Sequence, residues 1–196
     1  MEIVQINELS FFGIFLIILV ILLLVKCMYY INSFLIYSVL GFLLESTWYK
    51  ILSIDSYSGF LFGPFTPVYG FGVLCILIIN RFIIQKISCN KIVKIIISFF
   101  IFAILLSLIE MLGGLFLEHF LGIEMWDYSN KQFNLGKYAC LELSLVWGIG
   151  SVIFIYIVKP FMDRFIKKIP KKATLIFLGI LYIDFIASVL RYKGVI

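Results

Sequence analysis

"IIISFFIFAILLSLIEMLGGLFL", residues 95–117, decides the fold class. Its twenty-three residues include a single ionisable side chain, Glu110. A helix needs ~20 apolar residues to cross the hydrocarbon core of a bilayer. Strands of a membrane barrel would alternate apolar and polar residues over ~10 positions. This run is too long and too uniform for that. It predicts a membrane-spanning α-helix.

Five more apolar segments flank it, at roughly 9–25, 29–49, 65–84, 140–158 and 173–190. The whole chain is 63% hydrophobic and 14% charged, against ~25% charged in a soluble domain. Such apolarity cannot be hidden in one small water-soluble core. The expectation is an all-α, polytopic integral membrane protein of about six transmembrane helices, with residues 1–196 forming one transmembrane domain. The first segment is not read as a cleaved signal. Glu2 and Glu8 stand where a basic flank belongs, and no small-x-small site follows Lys26.

Charge sets an orientation. With six spans and the N-terminus outside, one side holds Lys26, Arg81, Lys86, Lys91, Lys94, Lys159, Arg164, Lys167, Lys168, Lys171 and Lys172. The other holds Lys50, Lys131, Lys137, Arg191 and Lys193. Lys and Arg are retained in the cytoplasm. Both termini, and the loops at 50–64 and 118–139, are therefore expected outside the cell membrane. The net charge of +5 speaks to topology and anionic lipid rather than to nucleic acid. Cys27, Cys75, Cys89 and Cys140 show no C-x-x-C spacing, and His119 is alone. Neither a disulfide framework nor a metal site is expected.

Carboxylates inside spans carry the functional signal. A charge near the bilayer centre costs ~2.5–3.5 kcal/mol on insertion scales, and such residues face the bundle interior or a pathway. Glu45, Glu110, Glu142 and Asp184 fall inside predicted spans, each in the outer half under this topology. Ala103, Ser107, Glu110 and Gly114 share one helical face, as do Ser38, Gly41, Glu45 and Trp48. Small residues let helices approach closely in lipid, so these faces read as an interior seam. Glu142 lies opposite the small face of Ser144, Gly148 and Ser151. Two readings stand. In one, the acids are structural, protonated or paired with Lys50, Lys137 or Arg191. In the other, they line a binding or ion-coupling site open to the outside.

"SGFLFGPFTPVYGFG", Ser58–Gly72, joins two spans yet is apolar and aromatic. Non-helical backbone is tolerated at membrane depth only when buried in protein or lining a cavity. The residue before proline avoids the helical region, so Gly63-Pro64 and Thr66-Pro67 discourage helix. A partly re-entrant outer loop over the carboxylates is expected, with Gly63, Pro64, Pro67 and Gly70 as its structural residues and Tyr69 and Thr66 as its polar contacts. The alternative is an interfacial turn leading into the third helix. "MWDYSNKQFN", residues 125–134, combines interfacial aromatics with turn-forming Asp127, Asn130 and Asn134. Its functional reading is a lid over a ligand.

"YSVLGFLLESTWY", "SGFLFGPFTPVYGFG", "EMLGGLFLEHFLGIEMWDYSNKQFNL" and "CLELSLVWGIG" together resemble successive motifs of the putative ABC-transporter type IV family, over roughly 36–150. The resemblance implies a small bacterial permease working with a separate ATPase. By motif position it carries over Glu45, Gly63, Pro64, Pro67, Tyr69, Gly70, Glu110, Glu118, Trp126, Asp127, Tyr128, Ser129, Asn134 and Trp147. This chain departs in two places. Ser58 stands where the pattern has arginine, and Gly136-Lys137-Tyr138 replaces Asn-Gly-Arg, with Lys137 a substitute for one missing cation. An anionic ligand is less favoured for that reason.

The expected function is a permease component that binds a small solute at an outward-facing polar site and couples to a separate ATPase. Substrate contacts are assigned to Glu45, Glu110, Tyr69, Trp126, Asp127, Asn134 and Asp184. The chain has no Walker motif, so it is not itself read as an ATPase, and ATP enters only through a partner docking on loops 80–94 and 159–172. Membrane lipids are the other partner. A homo-oligomer is a further expectation, since Gly113-Gly114 and Ser144/Gly148 can pack helices within or between chains. The alternatives are a membrane scaffold or sensor without its own substrate, or a membrane-embedded enzyme using the outer carboxylates as acid and base.

Overall fold

A computed structural model of the chain describes residues 28–53 and 58–195. Five helices among them are long and apolar enough to cross a membrane. The predicted first span, 9–25, lies outside the described residues. Helix α1 is Met28–Ile51, and α2 is Pro67–Phe82, followed by a 3-10 turn at Ile84–Lys86. Helix α3 is Lys91–Leu121. Helix α4 is Leu141–Ile166, with a π turn at Phe154–Val158. Helix α5 is Lys171–Tyr192. The described residues contain no strand beyond one isolated bridge between Asn134 and Cys140.

The helix ends follow local chemistry. Asn90 caps α3, its side-chain oxygen accepting from the Val93 amide at 2.9 Å, as a polar N-cap should. Gly122 ends the same helix in the left-handed conformation, φ 67°, where glycine carries no Cβ penalty. Pro67 opens α2 at a position where its missing N–H has no intrahelical partner to lose.

Glycines set how closely the helices pack. A Cβ at Gly41 would fall on the Tyr69 ring. One at Gly70 would meet Ser38 Oγ and lie 2.8 Å from the Phe34 carbonyl. These two contacts run α1 against α2 in opposite directions, so that the Arg81 guanidinium donates to the Tyr30 hydroxyl at 3.3 Å near their far ends. Helices α3 and α4 meet through Gly148, whose Cβ would sit 2.7 Å from Phe99, and through Ser107, which donates to Ser144 Oγ at 2.6 Å. The Tyr138 ring fills the space beside Gly114. The small-residue seam read from the sequence is thus used within the chain.

Two apolar cores result. One joins Ile31, Phe34 and Leu35 of α1, Leu61 and Phe65 of the connecting loop, and Leu178, Leu181 and Phe185 of α5. The other joins Tyr37 with Ile76 and Ile84, the π-turn residues Phe154 and Ile155, and Ile166. Near the second core, the Thr174 hydroxyl donates to Asn32 Oδ1 at 2.6 Å, and Asn32 Nδ2 donates to the Ile166 carbonyl at 3.3 Å. The molecule has two ends. The loop end carries 58–66 and 122–140. The basic end carries 83–90 and 159–170.

Candidate functional site

The Ser58–Thr66 stretch is where the site begins. Ser58, Leu61, Phe65 and Thr66 are buried, although the segment is neither helix nor strand. Its backbone is satisfied by tertiary partners. The Thr66 amide donates to the Ser38 carbonyl at 3.0 Å, and the Phe65 amide to the Gly63 carbonyl at 2.8 Å. The Phe62 and Gly63 amides donate to the two oxygens of Asp184, each at 3.0 Å. Ser188 Oγ accepts from Phe62 as well, at 3.1 Å. A Cβ at Gly63 would lie 2.7 Å from Asp184 Oδ2, so a larger residue there would displace that carboxylate. The Arg191 guanidinium stands over the Phe62 ring, 5.0 Å from its centroid.

Asp184 is therefore occupied by loop backbone. It holds Gly63 and its neighbour in place, and nothing brings it into contact with Glu45 or Glu110. The grease of the loop fills the core against α1 and α5, and its breakers let the chain turn inside that core.

Glu45 lies at the other side of the loop. It accepts from the Tyr49 hydroxyl at 2.8 Å and from the buried Ser58 hydroxyl at 2.7 Å. Ser58 Oγ also lies 2.9 Å from Thr66 Oγ1. Glu110, from α3, accepts from the Tyr128 hydroxyl at 2.9 Å and from the Trp147 indole N–H at 2.7 Å. Between them stands Tyr69, within electrostatic reach of both carboxylates. Its ring meets Trp147 edge to face at 5.8 Å. Its hydroxyl has no hydrogen-bond partner among the described residues. Neither Glu45 nor Glu110 has a cationic partner among them, and all four donors are neutral.

The acids nearer the loop end behave differently. Lys137 bridges Glu118 at 2.9 Å and Glu124 at 2.6 Å, and the Tyr138 hydroxyl donates to Glu118 at 2.8 Å. Glu142 forms an exposed pair with Lys131 at 2.9 Å. Pairing with Lys137 thus falls to Glu118 and Glu124, not to the acids deeper in the spans. Burial and the Glu118 carboxylate push the Tyr138 phenol up to about 12, and the two glutamates push the Lys137 ammonium up.

The 122–140 loop wraps this cluster. The Ser129 amide donates to Asp127 Oδ1 at 2.8 Å, an Asx turn, and the Ser129 side chain together with this amide holds the Asp127 carboxyl below its usual range. Asn134 Nδ2 donates to the Ser129 carbonyl at 2.6 Å and the Tyr128 carbonyl at 3.3 Å. Asp127 and Asn134 are exposed. They shape the turn that aims Tyr128 down at Glu110. Trp126 packs into the core edge to face with Tyr138 at 6.0 Å, and its buried indole N–H has no partner among the described residues. The structure brings Glu45, Tyr69 and Glu110 together. It places Asp184 on the loop backbone, Asp127 and Asn134 in the turn, and Trp126 against Tyr138.

Four contact residues are missing from the substrate set that the sequence suggests: Ser58, Tyr49, Tyr128 and Trp147. Trp147 has a readable signal, since it lies three positions from Ser144 on the seam of α4. Tyr128 has a weaker one, inside the W-D-Y-S run.

The motifs that build this site agree with a family model described as "Putative ABC-transporter type IV", which matches residues 32–191. The chain belongs to that family. The matched span reaches all five described helices, leaving out the first turn of α1 and Tyr192 of α5, and includes both loops and every residue of the Glu45–Tyr69–Glu110 group. No curated protein and no solved structure matches the chain. For this type IV family member, the geometry of the site must carry the functional reading.

Proposed function

We propose that this chain is the multi-pass permease component of a transporter. It binds a small solute at an outward-facing polar site around Glu45, Tyr69 and Glu110, and it is coupled to a separate ATP-binding subunit. One observation carries this reading. Two span carboxylates from different helices flank a tyrosine whose hydroxyl is unpartnered among the described residues, and both are held only by neutral donors. A solute bearing a positive charge or several hydrogen-bond donors fits such a group, with Tyr69 and Trp147 as aromatic walls.

The loop supports an outward site. Thr66 is bonded to the Ser38 carbonyl, thirteen residues back from the end of α1. At 1.5 Å per residue that is about 20 Å. The chain thus re-enters the bundle to mid-depth before α2 begins, beside the carboxylates. Segment 9–25, outside the described residues, has the hydropathy expected of a sixth span. The bias of Lys and Arg toward the basic end puts the loop end and both termini outside. The ATP-binding partner docks on residues 80–94 and 159–172, and ATP is bound there, not by this chain. Ser58 donates to Glu45 as a neutral partner, so the carboxylate keeps its charge to meet a cationic solute.

The test is uptake by cells carrying Glu45→Gln, Glu110→Gln or Tyr69→Phe, alongside mass spectrometry of what co-purifies with the wild type. An ATP-binding subunit in the purified complex, with uptake lost in folded variants, supports the reading. Full uptake in both glutamine variants removes the carboxylate site. A chain that purifies alone and tolerates both substitutions is a scaffold or sensor.

A further inference from the structure

The last two turns of α4 present a face that the proposed transport site does not use. Along α4 the exposed apolar residues Ile149, Ile153 and Ile157 form one stripe, the surface that lipid tails cover. The π turn at Phe154–Val158 interrupts it. A π turn inserts one extra residue, which rotates everything after it by about 100°. Beyond the turn, Met162, Asp163 and Ile166 face inward. Ile166 is fully buried, and Asp163 accepts from the Tyr29 hydroxyl and Lys159, each at 2.7 Å. Phe161, Arg164, Phe165 and Lys168 are left pointing out.

This outward face is both aromatic and basic. Phe161 is 59% and Phe165 56% exposed, and their rings meet at a tilt with centroids 5.2 Å apart. Arg164 and Lys168 are exposed. Neither has an acidic partner among the described residues, because the nearby Asp163 is taken by Lys159 and Lys167. One turn nearer the middle of the helix, Lys91 of α3 sits over the Tyr156 ring at 5.8 Å.

Depth chooses the occupant. The exposed Lys131–Glu142 pair marks water at the start of α4. Phe161 lies twenty residues beyond Leu141, about 30 Å along the helix. A hydrocarbon core is ~30 Å thick. The two phenylalanines therefore stand at the far boundary, with Arg164 and Lys168 at headgroup level. We propose that this face is a seat for an anionic phospholipid, its phosphate held by Arg164 and Lys168 and its upper acyl region by Phe161 and Phe165. This face lies within 159–172, the segment proposed above to dock the ATP-binding partner. The lipid takes only the outward Phe161, Arg164, Phe165 and Lys168, and the partner keeps the cations on 80–94 with Lys171 and Lys172.

The experiment uses the full chain in nanodiscs of phosphatidylcholine containing phosphatidylglycerol. Native mass spectrometry reads phosphatidylglycerol retained by wild type, R164Q/K168Q, F161A/F165A and, at the opposite end, K50Q. With ~1 kcal/mol per Lys or Arg at an anionic surface, R164Q/K168Q should weaken phosphatidylglycerol affinity about thirty-fold. K50Q should leave it unchanged, and raised salt should weaken the wild type. F161A/F165A should shorten lipid residence with the salt dependence kept. Thermal stability in pure phosphatidylcholine identifies any variant that is merely misfolded, and R164Q alone then serves. Wild-type retention in a folded R164Q/K168Q variant overturns the proposal. So does unchanged lipid with loss of a co-purifying ATP-binding subunit, which would make the face a protein dock.

Discussion

Replacing Glu110 by Gln and by Leu separates its charge from its hydrogen-bonding duty. Trp147 can only donate, whereas the Tyr128 hydroxyl can donate or accept. Gln can turn its carbonyl oxygen to the indole N–H and its NH2 to the Tyr128 oxygen. Both contacts survive, and the loss is the difference between charge-assisted and neutral bonds, about 1 kcal/mol. Leu offers neither group anything. Each donor left without an acceptor costs ~1–3 kcal/mol, so the sum is about 2–6 kcal/mol. At ~2–4 °C per kcal/mol for a chain of this size, Gln should lower the melting midpoint by about 2–4 °C and Leu by roughly 4–24 °C. The assay is thermal unfolding in detergent with a thiol-reactive dye, reporting on the buried Cys140 and the half-buried Cys75. Equal midpoints for the two variants would refute the claim that both donors depend on residue 110. If E110Q folds but loses uptake, the charge itself is what the solute meets.

The same contacts predict other outcomes. Gly63→Ala places a Cβ 2.7 Å from Asp184 Oδ2. It should loosen the loop and raise hydrogen exchange at Phe62 and Phe65, with Asp184→Asn giving a similar but smaller effect of about 1.5–3 kcal/mol for one lost charge-assisted bond. Gly114→Ala drives a methyl into the Tyr138 ring. It should expose the 122–140 loop to proteolysis at Lys131 more than Gly150→Ala, which lies within α4 and meets nothing within 4 Å. The Tyr138 phenol is raised to about 12 and the Lys137 ammonium is raised too. Groups with raised folded values stabilise fully below their unfolded values and lose that contribution as pH rises through the folded ones. Loop protection from protease should therefore hold to about pH 10 and fall toward pH 12. Protection unchanged across that window would detach the loop from this cluster.

Much of the helix pattern was legible in hydropathy, because a span must be continuously apolar. The windows at 29–49, 95–117 and 173–190 sit inside α1, α3 and α5. They stop where charge begins, but helical hydrogen bonds do not. Lys91 to Lys94 extend α3 because Asn90 supplies a cap. Lys159 to Ile166 extend α4 because the π turn rotates Asp163 and Ile166 inward, where Tyr29 and the second core receive them. The seam was legible too, since Ser107, Gly114, Ser144 and Gly148 recur at helical spacing. The partners of the carboxylates were not. Asp184 meets main-chain amides more than 120 positions away, and an amide leaves no mark in a sequence. Glu110 meets a tyrosine carried back by a loop whose path depends on Asp127 and Asn134. Those two residues also shape the turn through their own hydrogen bonds, and turn-shaping and ligand-binding side chains are of the same types.

The loop itself resolves the tension between its glycines and prolines and its grease. Non-helical backbone in an apolar interior leaves N–H and C=O groups that must be paired. Here α5 supplies Asp184 and Ser188 to the amides of 62 and 63, and α1 supplies the Ser38 carbonyl to Thr66. The same stretch begins at Ser58 and ends at Thr66, whose hydroxyls reach each other, with Ser58 donating to Glu45. A shift of α5 against α1 cannot leave both sets of bonds intact. It either releases the Phe62–Gly63 amides or moves Ser58 relative to Glu45. The acid in α5 is thus tied to Glu45 through a short stretch of backbone. Under the proposed permease reading, such a link is what would let helix motion driven at the basic end change what Glu45 can hold at the loop end.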